Sequence, residues 1–147
     1  MIRTLAAAVA IASLTACASV PMGTPSQDAA LKKFEPVEGK AAVYIYRNEM
    51  MGMTSRLEVL VNGGDVGSTK GLTYLRLELP PGRHKLTSRA EFSDSMRIDV
   101  EAGRVYYVWQ EVKAGGWWGP TSKLHLVDAA IGQAGVRECG LVAAATE

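Results

Sequence analysis

Histidine and cysteine, two residue types often used for acid–base, nucleophilic and metal chemistry, occur only twice each in this sequence of 147 residues. The two histidines are His84, which follows a Pro-Pro-Gly-Arg turn, and His125, which lies between two leucines and should point away from them into solvent. No H-x-x-x-H or C-x-x-C spacing and no G-x-S-x-G serine accompanies them. We therefore interpret His84 as part of a turn and expect no catalytic residue, no metal site and no cofactor. These absences predict a protein that is not an enzyme.

Three methionines, Met50, Met51 and Met53, cluster in the stretch "EMMGMTSR" at 49–56. Thioethers bind soft metals such as Cu(I), which keeps copper handling open as a minor alternative. Methionine also forms adaptable contact surfaces, because its side chain is long, unbranched and polarisable. We favour a loop that packs over one end of the fold or contacts a partner.

Two tryptophans, Trp117 and Trp118, stand side by side in the glycine-bounded stretch "AGGWWGP" at 114–120. They either fold back over the core or are held out for contact with a partner or a membrane surface. We hypothesise that at least one is partly exposed. If this loop lies at the same end of the fold as the methionines, the two together form a candidate recognition surface.

The remaining reactive side chain near the start is Cys17, which ends the stretch "LTAC" at 14–17. An apolar segment of about ten residues precedes it, behind a start that carries Arg3, and such a segment is too short to span a bilayer. The order Leu14-Thr15-Ala16-Cys17 resembles the lipobox of bacterial lipoproteins. The resemblance implies that 1–16 is a signal peptide, that Cys17 carries lipid, and that Ala18, not aspartate, directs the protein to the outer membrane, facing the periplasm.

Cleavage before Cys17 would remove only one charged residue, Arg3, and would leave equal numbers of basic and acidic residues. No basic block stands out, so we expect no nucleic-acid partner. Lipidation of Cys17 would leave Cys139 without a partner in the chain. We expect Cys139 to be a buried, structural thiol.

The elements that position these residues follow from composition and periodicity. Residues 17–38 hold three prolines among small and charged residues, which predicts a tether, with a possible short helix capped by Ser26 that places Leu31 and Phe34 on one side. Residues 39–142 form the predicted domain and 143–147 a tail. In the domain, apolar and polar residues alternate with period two in seven stretches, at 41–47, 56–64, 73–82, 84–91, 96–103, 104–112 and 122–128.

Short strands at near-regular spacing predict an all-β fold, an antiparallel β-sandwich of about seven to eight strands with a short helix near each end. The second helix falls in "DAAIGQAGVREC" at 128–139, where Gly132 and Gly135 weaken the prediction.

The order "GKAAVYIYR", "VLVNGGDVGSTK", "YLRLELPPGRHKL", "DVEAGRVYYV" and "LHLVDAAIGQ" resembles a set of bacterial lipoproteins that carry a small domain of unknown function related to PEGA-type modules. The resemblance spans roughly 36–142. It implies a compact sandwich of immunoglobulin-like character on a lipid anchor, and it implies no reaction.

We therefore expect a non-catalytic envelope lipoprotein, a membrane-tethered β-sandwich that binds a protein or peptidoglycan partner. An inhibitor or accessory subunit of a periplasmic enzyme is the main alternative. A hydrolase and a copper-handling protein are minor ones.

Overall fold

A computed structural model describes residues 20–50 and 55–143, which fold as two stacked β-sheets with two short helices. The strands are β1 (Ala41–Arg47), β2 (Leu57–Val61), β3 (Gly64–Thr69), β4 (Thr73–Leu79), β5 (Gly82–Arg89), β6 (Asp94–Val100), β7 (Val105–Lys113), β8 (Thr121–Val127) and β9 (Gly140–Leu141). The helices are α1 (Pro25–Leu31) and α2 (Ala129–Arg137), and a 3₁₀ turn covers Gly116–Trp118. The predicted β-sandwich with a helix near each end is confirmed.

The two sheets differ in strand direction. The four-stranded sheet has the order β3-β2-β5-β6 and is antiparallel throughout. The five-stranded sheet has the order β8-β7-β1-β4-β9, in which β1 pairs with β7, and β4 with β9, in parallel. Strand direction alternates along the chain from β1 to β8, so β7 starts at the same end as β1. After β8, the helix α2 returns the chain to the end at which β4 starts, so β9 runs parallel to β4. Apart from these two parallel pairs, neighbouring strands in both sheets are antiparallel, as predicted.

The alternation of apolar and polar residues does not predict two of the strands, β3 and β9. β3 has a single large apolar residue, Val66, and therefore no alternation to detect. It forms a hairpin with β2 through Asn62 and Gly63, whose φ angles of 52° and 84° suit a tight turn of the kind that joins such strands. β9 is only two residues long and is held by its parallel pairing with β4.

The core has two layers because β1 is covered on both faces, and all seven of its residues are buried. Between the sheets lies an aliphatic layer that includes Val43, Ile45, Val59, Leu75, Leu86, Ile98 and Val108. On the outer face of the five-stranded sheet, Tyr44 stacks on Tyr107 at 5.4 Å between ring centroids, and Phe34 meets both rings edge-on. Aromatic pairs in these geometries add to the stabilisation from burial.

The segment predicted as a tether packs on the domain from Val20 onward. Val20 is buried, the amide of Gly23 donates to Leu141 O at 2.9 Å, and the amide of Ala143 donates to Pro21 O at 2.8 Å. Its helix, α1, begins at Pro25 and is capped by Thr24, not by Ser26. The segment packs on the domain, and does not extend from it as a tether, because it buries the tyrosine layer on the outer face of the five-stranded sheet. Tyr44 Oη also donates to Leu31 O at the end of this helix.

The second helix lies where "DAAIGQAGVREC" predicted it, and its glycines are contact points. A Cβ at Gly132 would lie 2.2 Å from Tyr107 Cγ, and one at Gly135 would lie 2.2 Å from Tyr46 Cε2. The helix approaches the sheet this closely because neither position carries a side chain.

Candidate functional site

The odd-numbered strands β1, β3, β5 and β7 all end at one end of the sandwich. The connections there are 48–56, 70–72, 90–93 and 114–120. The methionine and tryptophan stretches therefore share an end, as the recognition hypothesis requires. We call the surface formed by 48–50, 55–56, 90–93 and 114–120 the aromatic end.

Both tryptophans are exposed in the 3₁₀ turn of the β7–β8 connection. The exposed fraction is 101% for Trp117 and 76% for Trp118. Gly116 and Gly119 flank the turn with φ angles of 61° and 88°, which a residue with a side chain rarely adopts. This loop does not pack over the core. Its role in recognition stays a prediction.

Other large apolar side chains join the tryptophans at this end. Met50 is 71% exposed and Phe92 is 50% exposed. The carbonyl of Phe92 accepts from the amide of Ser122 at 3.2 Å, which ties the β5–β6 connection to the start of β8. A shallow pocket of about 240 Å³ lies between Ser55 and the 112–120 segment. The candidate residues Met51 and Met53 lie outside the described residues, as does Cys17.

A network of buried polar side chains lies directly beneath the aromatic end. Arg47, at the last position of β1, is fully buried, and its Nη1 donates to Ser55 O at 2.7 Å and to Thr69 O at 3.3 Å. These bonds join the end of the methionine loop to two strands. Burial lowers the pKa of Arg47, and the guanidinium stays charged because arginine titrates only at very high pH.

The second part of the network crosses between the sheets. Thr69 Oγ1 donates to Gln110 Oε1 at 2.6 Å, Gln110 Nε2 donates to Ser88 Oγ at 2.6 Å, and Ser88 Oγ lies 2.5 Å from Ser122 Oγ. Sequence reasoning missed these residues. The sequence feature that could have revealed the network is Gln110, a polar residue on the same face of its strand as the apolar residues Val108 and Val112.

The two histidines take different roles. His84 is buried near the start of β5, beside the turn at the opposite end of the sandwich, with Nε2 2.7 Å from Pro80 O and Nδ1 2.9 Å from Asn62 Nδ2. This agrees with its interpretation as turn structure. Both ring nitrogens are engaged in holding two neighbouring turns together.

His125 is half-buried, which corrects the expectation that it is solvated. Its ring stacks on Trp109 at 5.0 Å, and its Nε2 lies 2.8 Å from Glu111 Oε2. This hydrogen bond lowers the pKa of Glu111. Trp109 Nε1 in turn donates to Glu49 Oε1 at 2.9 Å. The cross-strand neighbour Trp109 covers the histidine, which a pattern within one strand cannot show.

Within 20–50 and 55–143, no group of three His, Cys, Asp or Glu side chains is placed to hold a metal ion.

Cys139 is a buried free thiol, as expected. Its Sγ lies 3.3 Å from both Arg47 O and Gly135 O, and burial raises its pKa to about 12. Slow reaction of this thiol stays a prediction.

Comparison with known proteins identifies the family. The model of a family described as "Protein of unknown function (DUF2846)" matches residues 37–120, which is more than half of the chain. The chain belongs to the DUF2846 family. The match covers β1–β7 and the whole tryptophan loop of this DUF2846 protein, and it ends at Pro120, immediately before β8.

An uncharacterized protein of Haemophilus influenzae is 30% identical to the DUF2846 protein over 104 residues. The aligned part covers 69% of this chain and 62% of that relative. No solved structure matches the chain. Among the described helices, none is long and apolar enough to cross a membrane.

Proposed function

We propose that this DUF2846 protein is a non-catalytic envelope lipoprotein that recruits a protein partner through its aromatic end. The observation that carries the proposal is the exposure of the neighbouring residues Trp117 and Trp118 at the same end of the sandwich as the exposed Phe92 and Met50. Exposed apolar patches mark interaction sites in soluble domains, and tryptophan is enriched among the residues that dominate binding energy. Inhibition of a periplasmic enzyme would use the same surface.

The lipid anchor at Cys17 and the outer-membrane location are part of the proposal. Their support is the lipobox-like "LTAC" stretch and the alanine that follows it. The relation to PEGA-type modules belongs here as well. It is supported by the order of the sequence motifs and by the two-sheet arrangement.

The anchor and the aromatic end would lie at opposite corners of the domain. Pro21 pairs with Ala143 beside the β4 edge, whereas the tryptophan loop joins β7 and β8 at the other edge of the same sheet. The chain from Gly23 back to Val20 also runs away from the aromatic end, because it is antiparallel to 141–143. The three residues 17–19 reach at most ~11 Å. The aromatic end would therefore be free to bind a partner while Cys17 is in the membrane.

The test compares the Trp117→Ala/Trp118→Ala double variant with the parent in membrane fractions treated with a protein cross-linker. We expect loss of a cross-linked protein with little change in melting temperature, since exposed side chains contribute little stability. Ile131→Ala is the matched control, because Ile131 is an exposed apolar residue on α2.

Two outcomes would contradict the proposal. If the double variant keeps the partner, the aromatic end is not the recognition surface. If the purified domain sediments with isolated peptidoglycan and loses this in the double variant, the partner is the cell-wall glycan and not a protein.

A further inference from the structure

One edge of the five-stranded sheet is open along most of its length. β9 pairs with β4 only at Thr73 and Tyr74. Beyond that point, no described strand pairs with residues 76–79 on the side opposite β1. An open edge offers backbone donors and acceptors to another chain.

The backbone groups that face this edge can be identified from their alternation. Tyr74 O accepts from the amide of Val142 at 2.9 Å, so Tyr74 points its backbone groups away from β1. In an antiparallel pair this direction alternates, and Arg76 and Glu78 therefore point their N–H and C=O groups the same way. In the described part of the chain, these four groups have no hydrogen-bond partner.

A groove of about 760 Å³ runs along this edge. One wall is α1, through Gln27, Ala30 and Leu31, and the other is β3, through Asp65 and Val66. Leu75, Arg76 and Leu77 form the floor, and 141–143 close one end. The volume lies in the range of ordinary ligand sites.

The groove also contains a cation with one unpaired donor. Arg76 Nη1 pairs with Glu78 Oε1 at 2.5 Å, and the Arg76 side chain is only 14% exposed. Its Nε is buried without a hydrogen-bond partner. A buried donor on a charged group is costly when unpaired, so an acceptor from a ligand would be favoured here.

We propose that the β4 edge binds an extended peptide of a partner protein as an additional strand, with apolar residues at alternate positions and an acidic side chain that meets Arg76. The unpaired backbone groups call for a strand. The alternation follows from the groove, because Val66, Leu75 and Leu77 are apolar on the inner side, whereas Arg76 lies on the outer side.

The walls favour a single strand over a second copy of the domain. The helix α1 and the strand β3 stand on either side of the edge. A second copy of this two-sheet domain would collide with them, because its own α1 and β3 also stand on either side of its edge. The free stretch is also short, because Val142 bounds it at one end and Pro80 at the other. This site is separate from the aromatic end and does not depend on the function proposed there.

The probe is a fluorescent seven-residue peptide with blocked ends, valine at alternate positions and one glutamate between them, and binding is read by anisotropy. Glu78→Pro removes an edge-facing N–H while leaving the hydrogen bonds to β1 intact, a place where sheets tolerate proline. Glu78→Ala is the matched control, because it removes the same side chain and keeps the N–H. We expect Glu78→Pro to bind the peptide at least tenfold more weakly than Glu78→Ala, because both variants free Arg76 from its ion pair with Glu78 and only Glu78→Pro loses the N–H.

Arg76→Gln should weaken binding of the glutamate peptide more than binding of the same peptide with glutamine at that position. A probe N-methylated at alternate residues, in both phases, repeats the backbone test on the unaltered protein should Glu78→Pro fail to fold. One of the two methylated peptides should lose binding, because its methyl groups replace the N–H groups that face β4.

Equal binding to folded Glu78→Pro and to Glu78→Ala, or failure of the peptide to bind at all, would overturn the proposal. A dimer that Glu78→Pro dissolves, without peptide binding, would assign the edge to a second copy. Peptide binding that appears only after removal of 144–147 would assign it to the chain's own tail. Both of these results overturn the proposal as well.

Discussion

At the scale of single residues, Cys139 shows how burial determines the chemistry of a side chain. Its Sγ lies between two backbone carbonyls, and its pKa is raised to about 12 from the ordinary value of 9.0. The thiolate is the reactive form of cysteine, so the native thiol should react with a disulfide reagent at least a hundredfold more slowly than the unfolded protein. Rapid labelling of the folded protein would contradict this.

The same thiol predicts a dependence of stability on pH. Between about pH 9 and pH 12 the unfolded cysteine loses its proton while the folded one keeps it, so the unfolded state binds fewer protons and the free energy of unfolding falls as pH rises. The contribution is complete below about pH 9. Denaturant titrations at pH 8 and pH 10.5 should show a smaller decline for Cys139→Ala than for the parent. Burial also raises the pKa of the tyrosines Tyr46 and Tyr74, and this main cause of their shifts is present in both proteins. Equal declines would contradict the prediction.

At the scale of elements, substitutions in the helix α2 distinguish the effect of helix propensity on stability from the effect of packing. Propensity alone says that Gly→Ala stabilises a helix by about 1 kcal/mol. A Cβ at Gly132 or Gly135, however, would lie 2.2 Å from a tyrosine ring atom, so helix or ring must move. Overpacking of this kind typically costs about 1–3 kcal/mol. We expect both Gly132→Ala and Gly135→Ala to lower the free energy of unfolding in denaturant titrations.

Ala134→Gly is the mirror control, because Ala134 is exposed on the same helix. It should lose only the propensity difference of about 1 kcal/mol. Stabilisation by either glycine substitution would show that the helix does not approach the sheet as closely as described.

The elements also show which features a sequence pattern can predict. Strands with one wetted face, such as β5 and β6, alternate clearly and were placed within two or three residues. β3 was missed because its pairing comes from a turn and not from apolar residues. Residues 20–38 have the composition of a linker, and nothing within the segment indicates that it covers a tyrosine layer formed by later strands. Of the candidate site, the exposure of the tryptophan loop was predictable, whereas Arg47 and the polar network depend on contacts between distant strands.

At the scale of the whole molecule, the positions of the proposed anchor and of the aromatic end predict how the domain is oriented at a membrane. The tryptophans should stand away from the membrane when Cys17 carries lipid, because 17–19 are too short to bring the β7–β8 loop to the surface at the opposite corner. Vesicles that contain brominated lipids quench tryptophan within the bilayer interface. A Trp109→Phe variant leaves only Trp117 and Trp118 as reporters and keeps a ring to stack on His125.

We expect the lipidated Trp109→Phe protein to bind these vesicles with less than about 10% loss of fluorescence, since quenching requires burial at the interface, where tryptophan otherwise prefers to lie. Acrylamide in the aqueous phase should still quench both residues, as their exposure requires. Unlipidated Cys17→Ser protein should stay in solution, which shows that binding depends on the anchor. Strong quenching by brominated lipid would make the loop a second membrane contact, and the aromatic end would then face the bilayer and not a protein partner.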